Sequence, residues 1–147
     1  MSQTELPLEH FERIRHEHAE ICKDIRRIRD ALNDRDNVGA MALLLSDVRD
    51  ELAEHFKNEE AGGYLDAATN YAPELTKRAT ELREQHTQLI AKISEIIDAL
   101  TSPGLNAWDW DNVVAKTLGF LNLLLDHERA ENKLVQDAYQ QDIGAED

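Results

Sequence analysis

Hydrophobic residues recur along this chain at alternating spacings of three and four, which places them on one face of an α-helix. The spacing holds in four segments, at about residues 6–32, 38–61, 73–100 and 109–139. The stretches between them are rich in Asn, Asp, Gly and Pro, which end or begin helices. The pattern therefore predicts four amphipathic helices, and we expect the chain after Gln140 to fray.

Four amphipathic helices joined by short connections can bury their apolar faces only against one another. The simplest arrangement is an up-down-up-down antiparallel four-helix bundle, so the predicted fold class is all-α. A chain of 147 residues suits one domain, and we expect residues 1–147 to form a single bundle.

Each predicted helix carries one stripe of residues that should face the centre of the bundle. The apolar members are Phe11, Ile14, Ile21, Ile25, Ile28, Leu32, Met41, Leu45, Val48, Leu52, Leu75, Ala79, Leu82, Leu89, Ile93, Ile96, Leu100, Val113, Phe120, Leu124, Leu134 and Ala138. Apart from Thr117, the polar members are His18, His55, Glu59, His86, His127 and Glu131. Each helix thus contributes one histidine to the predicted interior, more than chance would place there.

A carboxylate or imidazole buried without a partner costs several kcal/mol when it is charged, and two buried carboxylates repel each other. A cation among the six polar side chains removes both penalties. Imidazole and carboxylate together suit iron, zinc or manganese, whereas calcium prefers oxygen ligands. Six ligands exceed what one tetrahedral zinc ion needs, so the set predicts two metal ions that share bridging carboxylates.

The direction of the helices supports this prediction. His55 and Glu59 repeat the spacing of His127 and Glu131, and an up-down bundle makes the second and fourth helices parallel. Both glutamates should therefore lie at one depth, where they can bridge a metal pair. His16 and Glu20 have the same spacing but fall on the outward face of the first helix.

Composition and charge exclude several other classes of protein. The chain has 30 acidic and 16 basic residues and a net charge of −14, which disfavours nucleic acid or an anionic membrane as a partner. No apolar run approaches the roughly 20 residues that span a bilayer. The single cysteine, Cys22, excludes an internal disulfide and suits a reducing cytoplasm, where we expect the protein to reside.

The arrangement H…HxxxE…H…HxxxE resembles the hemerythrin-like family, the HHE cation-binding domain. The segments that carry the resemblance are RHEHAEI, EHFKNEE, EQHTQLI and DHERAEN, which contain the six polar stripe residues. The resemblance implies a bundle around two non-haem iron ions with oxo or hydroxo and carboxylate bridges. It also implies a small-molecule ligand such as dioxygen, hydrogen peroxide or nitric oxide.

The sequence departs from the oxygen carriers of this family at one position. Carriers have a second histidine four residues after the third-helix histidine, where this chain has Ile90. One imidazole fewer leaves room for a ligand on the metal and favours reactivity over oxygen storage. Ile90 is therefore a candidate to line the site. Cys22 is a second candidate, because it follows His18 by four residues.

Three functions remain open from the sequence. The first is a di-iron protein that handles dioxygen, peroxide or nitric oxide, with peroxidase, catalase-like or nitric-oxide-related turnover as one form of it. The second is a non-enzymatic sensor of iron or oxygen. The third is a protein that delivers iron or repairs iron–sulfur clusters.

Overall fold

A computed structural model of the chain describes residues 8–61, 73–102 and 107–146. Its four α-helices are α1 (Leu8–Ala31), α2 (Val38–Ala61), α3 (Pro73–Thr101) and α4 (Ala107–Glu146). Each helix packs against the next in sequence, and α1 also packs against α4. Within these ranges there is no strand, and the prediction of an all-α four-helix bundle is confirmed.

The helices end and begin where the sequence has polar or helix-breaking residues. After α1, Asp34 adopts an extended backbone (φ −120°, ψ 83°), and a short 3-10 turn, Arg35–Asn37, leads directly into α2. Pro73 is the first residue of α3, where its missing N–H costs no helical hydrogen bond. At the other end of α3, the hydroxyls of Thr101 and Ser102 donate hydrogen bonds to backbone carbonyls of the last turn.

Helix α4 is longer than the sequence pattern predicted. We expected a helix over about residues 109–139 with a frayed end, whereas the backbone is helical over Ala107–Glu146. Residues 140–146 contain no proline, the residue that interrupts helices most strongly. The helical backbone therefore continues to Glu146, beyond Ala138, the last residue of α4 whose side chain is described as buried.

The apolar core shows that neighbouring helices run in opposite directions. One connected cluster of buried hydrophobic residues comes from the second parts of α1 and α3 and the first parts of α2 and α4. In sequence order its segments are Ile21–Leu32, Met41–Phe56, Leu89–Leu100 and Trp110–Leu124. These four segments can meet only if α1 and α3 run opposite to α2 and α4. Helices α2 and α4 are therefore parallel to each other.

A second, smaller set of buried apolar residues lies toward the other end of α3 and α4. It consists of Leu75, Ala79, Leu82, Leu134, Val135 and Ala138. The polar stripe residues fall between the two apolar sets in the sequence of both helices, so they occupy an interior level with apolar packing on either side. The side chains of Phe11 and Ile14, two predicted stripe residues, lie outside the described part of the chain.

The apolar core provides a matched test of this packing. Leu45 is fully buried, whereas Leu43 on the same helix is 66 % exposed. Leu45→Ala should lower the free energy of unfolding by about 2–5 kcal/mol because it removes buried contacts and leaves a cavity. Leu43→Ala should change it by less than about 0.5 kcal/mol. Urea denaturation of both variants measures the difference, and equal effects would contradict the assignment of the buried face.

Candidate metal centre

Helices α1 to α4 bring the six polar stripe residues together in the interior of the bundle. His18 comes from α1, His86 from α3, and each of α2 and α4 adds a histidine and a glutamate one turn apart. All six side chains are buried. The histidine and glutamate of each pair lie side by side because residues four apart in a helix project from the same face.

The four imidazoles form two pairs. The rings of His18 and His55 lie edge to face with their centroids 5.2 Å apart, and those of His86 and His127 are 5.0 Å apart in a similar arrangement. We call these the α1/α2 pair and the α3/α4 pair. Two pairs on opposite sides of the interior provide two separate sets of nitrogen donors.

Glu131 presents one carboxylate oxygen to each pair. Its Oε2 atom lies 3.1 Å from Nε2 of His18. Its Oε1 atom lies 2.6 Å from Nε2 of His127 and 3.3 Å from Nε2 of His86. The carboxylate therefore spans the gap between the two histidine pairs.

Glu59 spans the same gap from α2. Its Oε1 atom contacts Nε2 of His55, and its Oε2 atom lies 3.5 Å from Nε2 of His86. Two carboxylates, each with one oxygen toward each pair of imidazoles, would be able to bridge two metal ions if both donor groups held one. This is the parallel presentation of the two glutamates that the helix directions predicted.

The outer nitrogen of every ring has an oxygen partner. Nδ1 of His18 donates to Asn132 (2.9 Å), that of His55 to Glu17 (2.5 Å), that of His86 to Glu60 (3.1 Å) and that of His127 to Gln85 (2.7 Å). Because these partners are acceptors, Nδ1 carries the hydrogen in each ring. Every Nε2 atom is thereby directed inward, and in a neutral ring it offers a lone pair to a metal.

Several buried atoms at the centre have no aligned hydrogen-bond partner among the described residues. They are Nε2 of His55, Nε2 of His127, and both carboxylate oxygens of Glu59 and of Glu128. These atoms lie close together, but they are not aligned to form hydrogen bonds with one another. This is the arrangement expected when the lone pairs of several donor atoms are directed at the same metal position. The donor atoms of His18, His55, Glu128 and Glu131, and those of His86, His127 and Glu131, form two groups that could each hold a metal ion.

Glu128 is a member of the centre that the sequence analysis missed. It is 4 % exposed, and its Oε2 atom lies 2.8 Å from Nε2 of His18. The stripe assigned only one residue to this turn of α4, namely His127. The available signal was the spacing, because Glu128 follows Leu124 by four residues and precedes Glu131 by three.

Phe56 is a second residue that the sequence analysis did not place at the site. Its ring stacks on His86 at 4.0 Å and meets the edge of His127 at 5.5 Å. Ile90 is partly buried and packs on the apolar core cluster. Cys22 is a partly buried free thiol and belongs to neither donor group among the described residues.

The carboxylates at the centre favour the charged form of three histidines, His18, His55 and His86. Burial by itself would lower the pKa of His18, but the neighbouring carboxylates of Glu128 and Glu131 outweigh this effect and raise the pKa to about 11. Nearby carboxylates outweigh burial in the same way at two other histidines, and they raise the pKa of His86 to about 10 and that of His55 to about 9. Burial raises the pKa of Glu59. At Glu131 burial acts in the same direction, but the nearby imidazoles of His127, His18 and His86 outweigh it and hold the pKa well below its usual value. The centre therefore needs positive charge, which protons or metal cations can supply.

An acidic cleft of about 480 Å³ between α1 and α2 reaches His55. It is lined by His16, Glu17, Glu20, Ile21, Asp50, Glu51, Glu54, His55 and Asn58. Beside it, the neighbouring carboxyl of Asp24 and burial raise the pKa of Glu51 to about 7. The cleft connects the surface to the outer side of the α1/α2 pair.

Comparison with known proteins agrees with the geometry. The sequence profile of a family described as Hemerythrin HHE cation binding domain matches residues 9–139 of the chain. Neither the curated proteins nor the solved structures that were searched include a match. Among the described residues, no helix is both long and apolar enough to span a membrane.

The histidine pKa values predict how the stability of the metal-free protein depends on pH. A histidine whose pKa is 6.5 when unfolded and about 9 to 11 when folded stabilises the fold fully below pH 6.5. That stabilisation is lost as the pH rises through the folded value. The free energy of unfolding of the metal-free protein should therefore fall from about pH 6.5 to about pH 11, and it should fall less when metal is bound. A free energy of unfolding that stays constant across this pH range would contradict the assignment of positive charge to these histidines.

Removal of one inward imidazole tests the ligand set. His127→Ala should lower the iron content to about one ion per chain or less, because the α3/α4 pair loses one of its two nitrogens. His16→Ala is the matched control, since His16 is exposed and belongs to neither donor group, so its removal should leave the metal content unchanged. Metal analysis of both variants decides, and full iron retention by His127→Ala would remove this residue from the set.

Proposed function

The chain belongs to the hemerythrin HHE cation-binding domain family, and from this premise we propose that it holds two iron ions that handle a small ligand. The ligand we propose is dioxygen, hydrogen peroxide or nitric oxide. The proposed metal ligands are His18, His55, Glu59, His86, His127 and Glu131. The match to the family profile confirms the resemblance to the hemerythrin-like family that was inferred from the sequence.

One observation carries the proposal of two metal ions. Glu59 and Glu131 each direct one oxygen toward the α1/α2 pair and the other toward the α3/α4 pair. A single ion would need only one set of nitrogen donors and would leave the other pair of buried imidazoles without a function. Two carboxylates that both span the gap fit a pair of cations.

Iron, when bound, supplies redox and Lewis-acid chemistry to such a site. The chain itself holds and orients the donors. Hydrogen bonds at the four Nδ1 atoms keep the rings turned inward, and the two spanning carboxylates fix the separation between the ring pairs. Phe56, stacked on His86, covers part of the α3/α4 pair and helps to exclude water.

The number of protein ligands favours binding of an external molecule. Four imidazoles and two shared carboxylates do not complete two octahedral coordination spheres, and the apolar Ile90 stands where oxygen carriers supply a fifth imidazole. A small ligand can take the remaining positions. Dioxygen, peroxide and nitric oxide are small enough to reach a centre that is enclosed by the four helices.

Zinc or manganese would also accept these donors, because neither imidazole nor carboxylate selects strongly among the three metals. Iron is preferred because the resemblance to hemerythrin-like proteins implies it, whereas the matching family profile describes a cation-binding domain. We further propose that the protein works in the cytoplasm, where a reducing environment keeps Cys22 as a free thiol.

Two alternatives use the same centre without turnover. A sensor of iron or oxygen would exploit the coupling of metal to folding, because buried carboxylates and imidazoles are destabilising until they are neutralised. A delivery or repair protein would release its iron to another protein. The acidic cleft that reaches His55 would attract cations in either case.

The decisive experiment is metal analysis with an optical spectrum of protein purified without oxygen. We expect two iron ions per chain and a spectrum that changes on addition of dioxygen, hydrogen peroxide or nitric oxide. Evolution of oxygen from peroxide without a partner protein would identify turnover. The His16→Ala protein is the control for loss of an imidazole that belongs to neither donor group, and it should keep the iron content of the wild type.

The outcomes separate the alternatives. Strong stabilisation by iron without any turnover favours the sensor, and restored activity of a damaged iron–sulfur enzyme favours delivery or repair. A protein that takes up no iron, or a loaded protein whose spectrum none of the three ligands changes, would contradict the proposed function.

A further inference from the structure

We propose that Glu128 is a third carboxylate ligand of the metal centre and that it serves only the ion on the side of the α1/α2 pair. This inference rests on the proposed function, since it requires that two ions bind. It makes the two metal positions unequal. The α1/α2 position would then have an additional oxygen donor that the α3/α4 position lacks.

The burial of Glu128 requires a positively charged partner. The residue is 4 % exposed, and neither of its carboxylate oxygens has an aligned hydrogen-bond donor among the described residues. A charged carboxylate in such a place is costly unless a cation or a set of donors compensates it. Glu128 shares this condition with Glu59, one of the two carboxylates that span the gap.

The neighbours of Glu128 lie on one side of the centre. Its Oε2 atom is 2.8 Å from Nε2 of His18, and its Oε1 atom is 4.0 Å from Nε2 of His55. These are the two imidazoles of the α1/α2 pair, and they form a donor group with Glu128 and Glu131. The donor group on the other side contains His86, His127 and Glu131 but not Glu128.

The geometry of α4 explains why two adjacent residues serve opposite sides. Consecutive residues of a helix are separated by about 100° around its axis, so His127 and Glu128 project in different directions from one turn. His127 turns toward Gln85 on α3, whereas Glu128 turns toward His18 on α1. Glu131, one turn further on, projects between them and reaches both pairs.

A counterion role for Glu128 is the competing explanation. In that role the carboxylate would only balance a proton on His18. A metal ion that takes the Nε2 lone pair of His18 would displace that proton, so in the loaded protein the metal ion itself would balance the charge of Glu128. A counterion needs only its charge for this, whereas a ligand also needs an oxygen placed at the metal, and this difference makes the two roles separable.

The test uses the full chain loaded anaerobically with ⁵⁷Fe(II) and measured by equilibrium iron binding and Mössbauer spectroscopy. The wild type should bind two ions and give two distinct quadrupole doublets. Glu128→Gln should weaken one ion at least about 10-fold, change one doublet and leave the other unchanged. Asp126→Asn is the matched control, because it removes the same charge from an exposed position on the same helix.

Glu128→Asp distinguishes the two roles and also serves if Glu128→Gln does not fold. It keeps the charge, so a counterion would still function, but it withdraws the oxygens by one methylene and should weaken the same ion. Wild-type affinity and unchanged doublets in both variants would overturn the proposal, as would loss of both ions together. A wild-type protein that binds no iron pair would instead contradict the proposed function itself.

Discussion

The structure depends on the need to neutralise charge in an interior that water does not reach. Glu59, Glu128 and Glu131 are all buried with four histidines between apolar layers. Isolated, each carboxylate would destabilise the fold by several kcal/mol, and together they would repel one another. The raised histidine pKa values express the same demand, because the carboxylates hold protons on the rings. Protons and metal cations compete to satisfy that demand, so metal affinity and stability are two aspects of one interaction.

The fold could be predicted from the sequence because the spacing of apolar residues shows which face of each helix is buried. Residues such as Leu45, Leu52, Ile93 and Leu124 were predicted to face inward and are fully buried. The same periodicity identified polar residues that break an apolar stripe, and the structure brings those six residues together. Their spacing in sequence was informative because a helix converts a separation of four residues into one shared direction.

The remaining features depend on how far each helix is rotated about its axis, which the sequence pattern does not fix. Glu128 lies on the flank of the stripe, and only the approach of α1 encloses it. The oxygen partners of the four Nδ1 atoms, such as Asn132 and Gln85, lie on other helices than the histidines they contact. Phe56 is an apolar residue with no chemical signature, so its stacking on His86 is visible only in three dimensions. The length of α4 was underestimated because a helical backbone can continue where the apolar periodicity of the sequence ends.

The contact between His18 and Glu131 joins residues that are 113 positions apart in the chain. A polypeptide emerging from the ribosome has made α1, α2, α3 and much of α4 before Glu131 is available, so the donor set can be completed only after residue 131 has been synthesised. Closing so long a loop costs more conformational entropy than closing a short one, although this cost grows only with the logarithm of the length. A chain that has failed to dock its first and fourth helices would lack part of the donor set, so any cation held by the complete set would depend on the docking of these two helices.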